Sequence, residues 1–179
     1  MAKKVAVVVG SLKKESINLK LAKALAKLAE GKLELNILKV DDIPLFNEEL
    51  EASLPAPVAR FKSEIEAADA VLFVTPEYNR SMPGVLKNLI DWGSRPYGKG
   101  SFGGKPAGIV GTSPGAIGTA AAQQDLRKLL TIFNMRIMGQ PEIYLQTTPD
   151  LFAADSSVTN DKTKAFLQGY VDKFAAFIG

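Results

Sequence analysis

The fold is decided by one stretch of sequence, Val5-Ala6-Val7-Val8-Val9-Gly10-Ser11-Leu12-Lys13-Lys14-Glu15-Ser16-Ile17-Asn18. It begins with a continuous apolar run rich in β-branched residues, which predicts a central strand buried on both faces of a parallel sheet. The run stops at Gly10, and a polar loop follows. Apolar residues then recur at helical spacing, at Ile17, Leu21, Leu25 and Leu28. We therefore predict a strand, a polar loop and a helix.

The polar loop is a candidate anion site, because a helix N-terminus presents unpaired N–H groups and the positive end of the helix dipole. Ser11, Ser16 and Asn18 add neutral hydrogen-bonding groups and Lys13 adds a charge, a combination that suits a phosphate. The alternative is that Ser16 only caps the helix and Lys13 is solvated. The loop has neither the P-loop motif nor the G-x-G-x-x-G motif, which argues against a nucleoside triphosphatase.

The composition restricts the chemistry. The chain has 179 residues, no cysteine and no histidine. This length predicts a single domain over residues 1–179. Without cysteine or histidine the chain has no thiolate nucleophile and lacks the commonest general base and metal ligand. We expect no metal site and name no catalytic acid or base. The chemistry of a bound cofactor is favoured instead.

Charge and hydropathy exclude two classes of partner. The formal net charge of +3 is too mild to indicate nucleic acid, and no basic block is interleaved with aromatic residues. The apolar run behind the basic N-terminus ends too soon for a signal peptide, and no apolar stretch is long enough to span a membrane. We expect a cytoplasmic protein with no nucleic-acid or membrane partner.

The rest of the chain alternates strands and helices. Alternating apolar residues over 33–37 predict a half-exposed edge strand, and apolar runs predict strands at 70–74 and 106–111 and a last strand split between 136–138 and 143–145. Three helices are expected after these strands. A closing helix from about Asp161 is predicted to bury one face made of Phe166, Tyr170, Phe174 and Phe177.

This alternation predicts a three-layer α/β domain with a parallel sheet and helices on both faces. The edge character of the second strand and the buried character of the first and third favour the five-stranded order 2-1-3-4-5, the order of flavodoxin. Between the second and third predicted strands, residues 41–57 contain three prolines and are expected to form a long ordered loop around the surface.

Three unusual polar loops follow the first, third and fourth strands, which this order makes neighbours. The second loop contains Pro76-Glu77-Tyr78-Asn79, and the third contains Ser113-Pro114-Gly115, an open turn on which a flat ring fits. Together with a phosphate at the first loop, these features describe a mononucleotide site. Taken singly each has another explanation: Tyr78 as a surface aromatic, Asn79 as a turn residue, and Gly115 as an aid to helix entry.

Four segments carry a family resemblance, namely Gly10–Asn18, Thr75–Asn79, Ser81–Trp92 and Gly111–Gly115. Together they resemble the NAD(P)H-dependent FMN reductase family, and within it the bacterial quinone and chromate reductase branch. The resemblance covers nearly the whole chain in order. It implies a flavodoxin-like fold, FMN bound without a covalent bond, and a dimer or a dimer of dimers.

The resemblance also implies roles for the three loops. The FMN phosphate is assigned to Ser11, Lys13, Ser16 and Asn18. Lys13 stands where many members have arginine, so the charge remains but bidentate geometry is lost. One side of the isoalloxazine ring is assigned to the main chain of Pro76, Glu77, Tyr78 and Asn79, and the other edge to Ser113, Pro114 and Gly115.

The activity implied is a ping-pong reaction in which NADH or NADPH reduces FMN, leaves, and is replaced by an electron acceptor. Quinones, chromate and azo compounds are acceptors by resemblance. The first alternative is a flavodoxin-like non-enzymatic electron carrier, but such carriers are strongly acidic and this chain is slightly basic. The second is a binding module that keeps the phosphate site without redox activity.

We expect at least a homodimer whose interface lies beside the flavin. Segments near that rim carry Tyr78, Met82, Trp92, Tyr97 and Phe102, more aromatic and apolar surface than a monomer commonly exposes. The glycine-rich segment 94–105 is then mobile or ordered by the partner; alternatively it folds back and buries its aromatics within one chain. Ala121 and Gln124 replace arginine and tyrosine associated with subunit contacts in the family, which makes a tetramer less expected than a dimer.

Overall fold

A computed structural model describes residues 2–179 and contains one parallel sheet of six strands. The strands are β1 Lys3–Val9, β2 Leu33–Ile37, β3 Ala70–Val74, β4 Pro106–Ser113, β5 Arg136–Ile137 and β6 Ile143–Gln146. Their order is β2-β1-β3-β4-β5, with β6 also paired to β4. The predicted order is therefore confirmed. The last strand is split as expected, because β5 pairs with the start of β4 and β6 with its end.

Five α-helices cover the two faces of this sheet. They are α1 Ile17–Leu28, α2 Ala56–Glu66, α3 Gly84–Gly93, α4 Ala120–Leu130 and α5 Asp161–Ile178. The buried side chains of α1 and α5 form one hydrophobic cluster with Val5, Val7 and Val9. Those of α2, α3 and α4 form a second cluster with Ala6 and Val8. Successive side chains of β1 thus point to opposite faces of the sheet and belong to different hydrophobic clusters, as expected for a strand buried on both faces.

The segment 94–105 is folded back onto its own domain, which corrects two expectations. Phe102 is fully buried between the rings of Phe73 and Phe133, with centroid distances of 5.9 and 5.6 Å. Trp92 is also fully buried and donates its indole N–H to the Pro44 carbonyl oxygen at 2.8 Å. The prediction that Trp92 and Phe102 lie on an exposed rim is therefore wrong. These two side chains are buried within one chain, whereas Tyr97 of the same segment is exposed.

A polar contact anchors the same segment. The Lys62 ammonium of α2 donates to the Ser101 hydroxyl oxygen at 2.8 Å, and this hydroxyl donates to a Glu66 carboxylate oxygen at 2.7 Å. Burial lowers the pKa of Lys62. Because these groups and Phe102 are satisfied within the domain, the segment needs no partner chain to be ordered.

The closing helix buries Tyr170 and Phe174 as predicted, but Phe177 is only half-buried and Phe166 is exposed. The buried side chains of this helix are Leu167, Tyr170, Val171, Phe174 and Ile178. Phe166 is 43% exposed, so its predicted place on the buried face is wrong. The apolar face is centred one residue further along, because Leu167 and Val171 complete it at helical spacing. Within residues 2–179, none of the helices is both long and apolar enough to cross a membrane.

Candidate functional site

The loops after β1, β3 and β4 lie at one edge of the sheet and contact one another. The Gly10 N–H donates to the Val74 carbonyl oxygen at 2.9 Å, and the Thr75 N–H donates to the Val110 carbonyl oxygen at 2.9 Å. A β-carbon added at Gly10 would lie 3.2 Å from Pro83 Cγ and 3.3 Å from Pro76 Cδ. Glycine at this position therefore lets the first loop pack directly against the second.

The first loop presents a helix N-terminus with cationic surroundings. Ser16 is the N-cap of α1, and its hydroxyl oxygen accepts the Leu19 N–H at 3.3 Å. The first turn of α1 contains no acidic residue. Ser11 Oγ accepts the Lys13 N–H at 3.4 Å, and the Lys13 side chain is exposed. No ion pair within residues 2–179 includes Lys13.

Asn18 is buried and joins the first loop to the third. Its Nδ2 group donates to the Thr112 carbonyl oxygen at 2.9 Å, and its Oδ1 accepts the Thr112 N–H at 3.0 Å. The amide oxygen is therefore paired with the end of β4, and one N–H of the Nδ2 group remains for a ligand. No sequence pattern points to this pairing, because the two residues are 94 positions apart.

The second loop is a tight turn with a strained backbone. Tyr78 and Ser81 exchange two main-chain hydrogen bonds of 3.0 Å, with Asn79 and Arg80 between them. Both central residues have positive φ, 53° and 65°, as in a type I′ turn. Pro76 before the turn is buried and Tyr78 is 56% exposed. Positive φ at a residue such as Arg80 is uncommon and concentrates at functional sites.

The Glu77 side chain is engaged away from its own loop. One carboxylate oxygen accepts the Ala122 N–H in the first turn of α4 at 3.2 Å, and the other lies 3.7 Å from an Arg80 guanidinium nitrogen. The carboxylate is thus held by protein groups. The Tyr78 main chain is paired with Ser81 and the Pro76 carbonyl oxygen accepts the Thr75 hydroxyl, so the main chain of Glu77 and Asn79 is the part of this loop left for a ligand. Sequence reasoning missed this contact with α4.

The third loop is open above Gly115. Ser113 Oγ donates to the Gly115 carbonyl oxygen at 3.2 Å, and the Gln146 side-chain amide donates to the Pro114 carbonyl oxygen at 3.1 Å. A β-carbon at Gly115 would have only Ser113 Oγ near it, at 3.7 Å. By contrast, Gly118 has φ +61° and a β-carbon there would lie 2.4 Å from the Tyr144 carbonyl carbon. Glycine is therefore required at 118 by close packing, whereas the surface above 115 is free.

These residues fit FMN in their chemistry. The acid-free N-terminus of α1, with Ser11, Lys13 and Ser16 around it, suits a dianionic phosphate. The turn with Tyr78 and Asn79, which are exposed, and the open turn at 113–115 suit the two borders of a flat ring. All eleven residues predicted from the sequence lie on the three loops, at the last residue of β4 or at the start of α1, on this edge of the sheet.

Comparisons with known proteins agree with this fit. Residues 3–150 match the profile of the NADPH-dependent FMN reductase family. The chain is 53% identical to a quinone reductase of Pseudomonas putida over 175 residues, covering 97% of this chain and 94% of that protein. It is 45% identical to a 2-hydroxy-1,4-benzoquinone reductase of a Burkholderia species over 178 residues, covering 99% of this chain and 97% of the relative.

A solved structure is similar over almost the whole chain. It is FerB, a flavoenzyme NAD(P)H:(acceptor) oxidoreductase from Paracoccus denitrificans, with a TM-score of 0.95, 53% sequence identity, and coverage of 99% of this chain and 97% of that one. The predicted family, flavodoxin-like fold and FMN cofactor are thereby confirmed. This chain belongs to the NADPH-dependent FMN reductase family and is an NAD(P)H-dependent flavin oxidoreductase.

Proposed function

We propose that this protein transfers electrons from NADH or NADPH through FMN to quinones. The observation that carries the proposal is the meeting of three polar loops at one sheet edge. One presents Lys13 beside a helix N-terminus, the second is a turn with Tyr78 exposed, and the third is open at Gly115. Support for the acceptor class comes from relatives named quinone reductase and 2-hydroxy-1,4-benzoquinone reductase. Chromate and azo compounds are further acceptors in this proposal.

The proposed binding mode divides FMN among the three loops. Ser11, Lys13, Ser16 and the remaining Asn18 N–H hold the phosphate at the start of α1. The main chain of Pro76, Glu77, Tyr78 and Asn79 borders one side of the ring. Ser113, Pro114 and Gly115 line its other edge.

Bound FMN supplies the redox chemistry, accepting a hydride and returning electrons to a second substrate. The residues of the chain bind the phosphate and orient the ring, and in this proposal they leave one face of it open to a second molecule. Because this one open side must serve both the nicotinamide and the acceptor, the two bind in turn. A ping-pong mechanism follows, and it requires no protein side chain as acid or base.

We also propose that the protein is a cytoplasmic homodimer, with a tetramer as the further possibility. A groove of about 680 Å³ lies between α3, the segment 94–103 and the end of α4. None of the three loops lines it, so it differs from the interface beside the flavin that was predicted from the sequence. Tyr97, 92% exposed, and Ile132, 78% exposed, line the groove together with Ile90, Leu129 and Phe133. Exposed apolar surface of this kind is typical of an interface. Trp92 and Phe102 contribute nothing to it, because both are buried.

Steady-state kinetics test the proposed reaction. Purified protein loaded with FMN is expected to oxidise NADH or NADPH with benzoquinone and to give parallel double-reciprocal lines. Free FMN at the same concentration is the control. A rate of NADH or NADPH oxidation no higher than that of the control would contradict an enzymatic function and favour an electron carrier. Intersecting lines would contradict the ping-pong step alone, and a monomeric mass in light scattering would contradict the dimer.

A further inference from the structure

Helix α4 begins without a cap from its own sequence. Its N-cap residue, Thr119, has φ +75° and makes no side-chain capping bond. The Thr119 hydroxyl oxygen instead accepts the Gln123 Nε2 group at 3.0 Å, and the first turn contains no acidic residue. The free N–H groups at this helix start therefore need an acceptor from elsewhere in the fold.

That acceptor is Glu77, which lies 45 residues earlier in the chain. Its Oε2 accepts the Ala122 N–H at 3.2 Å, and its side chain is only 12% exposed. A carboxylate at a helix N-terminus is stabilised by both the hydrogen bond and the helix dipole. Arg80, 3.7 Å from the other carboxylate oxygen, is 74% exposed and adds little to this contact.

The contact joins the two loops between which the flavin ring is proposed to bind. Glu77 belongs to the loop after β3, and α4 directly continues the loop that follows β4. The turn next to Glu77 holds Asn79 and Arg80 at positive φ and is closed from within by the two Tyr78–Ser81 main-chain bonds. A contact outside the loop is needed to fix where this turn lies relative to α4. The Glu77 carboxylate provides such a contact.

We propose that Glu77 is a positioning residue that sets the separation of these two loops, without its side chain touching the flavin. This inference rests on the proposed binding mode. Without the Glu77–Ala122 bond, the loop after β3 is free to move in the protein without flavin and must be ordered when the ring binds. Affinity for the ring then falls, because ordering a loop on binding opposes association.

The test uses the full-length protein, stripped of flavin, and the variants Glu77→Ala and Glu77→Gln. We expect Glu77→Ala to weaken FMN and riboflavin equally, by about tenfold, the lower end of what loss of a charge-assisted hydrogen bond gives. Equal loss is expected because both ligands carry the same ring. Glu77→Gln keeps an oxygen acceptor for the Ala122 N–H and is expected to recover most of the affinity.

Visible circular dichroism of bound flavin supplies a second readout, since it reports the asymmetry around the ring. We expect a changed spectrum in Glu77→Ala and a wild-type spectrum in Glu77→Gln. The matched control is Glu64→Ala, which removes a carboxylate paired with Arg60 on α2 and should leave affinity and spectrum unchanged. The unfolding temperature of each flavin-free variant gives the folded fraction, for which the affinities are corrected.

Three outcomes would overturn the inference: wild-type affinity and spectrum in Glu77→Ala, loss of FMN affinity alone, or a loss that disappears after correction for the folded fraction. The second would place Glu77 at the phosphate and the third would make it purely structural. Failure of the wild-type protein to bind either flavin would instead refute the proposed binding mode on which the inference rests.

Discussion

Helices α1 and α4 begin at the same edge of the sheet, but their N-termini are satisfied in different ways. Helix α1 is capped locally by Ser16, and its first turn contains no acid. Helix α4 has no capping bond from Thr119 and receives the carboxylate of Glu77 from another loop. One helix start is thus left open to an anion from solution, while the other already holds an anion of the protein.

This difference explains how a single phosphate would choose between two similar sites. A second anion at α4 would meet the negative charge of Glu77, which is held in place by the Ala122 N–H. An anion at α1 meets Lys13 and hydroxyl groups, while the nearby Glu15 is exposed and paired with Lys20 at 3.9 Å. Like charges at one site are unfavourable and opposite charges favourable, most strongly where water is partly excluded. The phosphate is therefore expected at α1, and the ring between the loops that Glu77 joins.

Among the variants that test this difference between α1 and α4, Asn18→Ala is expected to have the largest effect on stability. The substitution leaves the Thr112 N–H and carbonyl oxygen without their partner in a buried position, which should lower the free energy of unfolding by about 2–4 kcal/mol. Chemical denaturation measures this change. Because Asn18 also ties α1 to the end of β4, FMN affinity of the folded protein should fall as well.

Asn88→Ala is the control for Asn18→Ala. Asn88 makes the same two-way contact to main chain, donating to the Pro44 carbonyl oxygen and accepting the Phe46 N–H, but on the 41–50 loop. It should destabilise the protein without changing FMN affinity. Equal loss of FMN affinity in both variants would show that the Asn18 effect reflects stability alone.

An intermediate effect is expected from Ser16→Ala, which removes the local cap of α1. Loss of an N-cap hydroxyl typically costs about 1 kcal/mol of stability. Asn160, the N-cap of α5, accepts the Thr163 N–H at 2.8 Å and provides a matched cap far from the three loops. Thermal unfolding should show similar destabilisation in Ser16→Ala and Asn160→Ala, and calorimetric titration should show weaker FMN binding in Ser16→Ala alone. Unchanged FMN binding in Ser16→Ala would show that the Ser16 hydroxyl caps α1 without contributing to phosphate binding.

The smallest effect concerns the turn beside Glu77. Arg80→Gly removes the unfavourable positive φ of a non-glycine residue, offset in part by the greater flexibility of glycine in the unfolded chain, for a net gain of about 0.5 kcal/mol. Asn79→Gly at the neighbouring position should give less, because asparagine tolerates this conformation. Denaturation midpoints compare the two variants. A destabilised Arg80→Gly would mean that the Arg80 side chain contributes more than its exposed ion pair suggests.

The fold was predictable from the sequence because its signals are local. The runs at 5–9 and 70–74 and the alternation over 33–37 gave strand positions and burial, and these in turn favoured the strand order. The polar loops could be placed together because parallel strands end at the same edge. Two predictions were wrong because they depended on tertiary packing. Phe166 was assigned to the buried face of its helix, and Trp92 and Phe102 were assigned to an exposed surface that a partner would cover.

The site was less predictable, because its decisive contacts join distant positions. Asn18 pairs with Thr112 and Glu77 with Ala122, and neither pairing leaves a periodic or motif signal in the sequence. The sequence therefore indicated which loops meet at the candidate site but not which of their side chains hold the protein together. Asn18 and Glu77 were assigned to the cofactor as a group with their neighbours, whereas the structure shows each bonded to main chain of another element.

The central claim, that α1 and not α4 receives the FMN phosphate, is tested most directly by titrating FMN and riboflavin against the wild-type protein and Lys13→Ala. A charge-assisted hydrogen bond to phosphate is worth roughly 1.5–3 kcal/mol, so FMN binding should weaken about ten- to a hundredfold. Riboflavin has no phosphate, and its affinity should stay unchanged. Equal loss for both flavins, or no loss for either, would contradict a phosphate held at the start of α1 by Lys13.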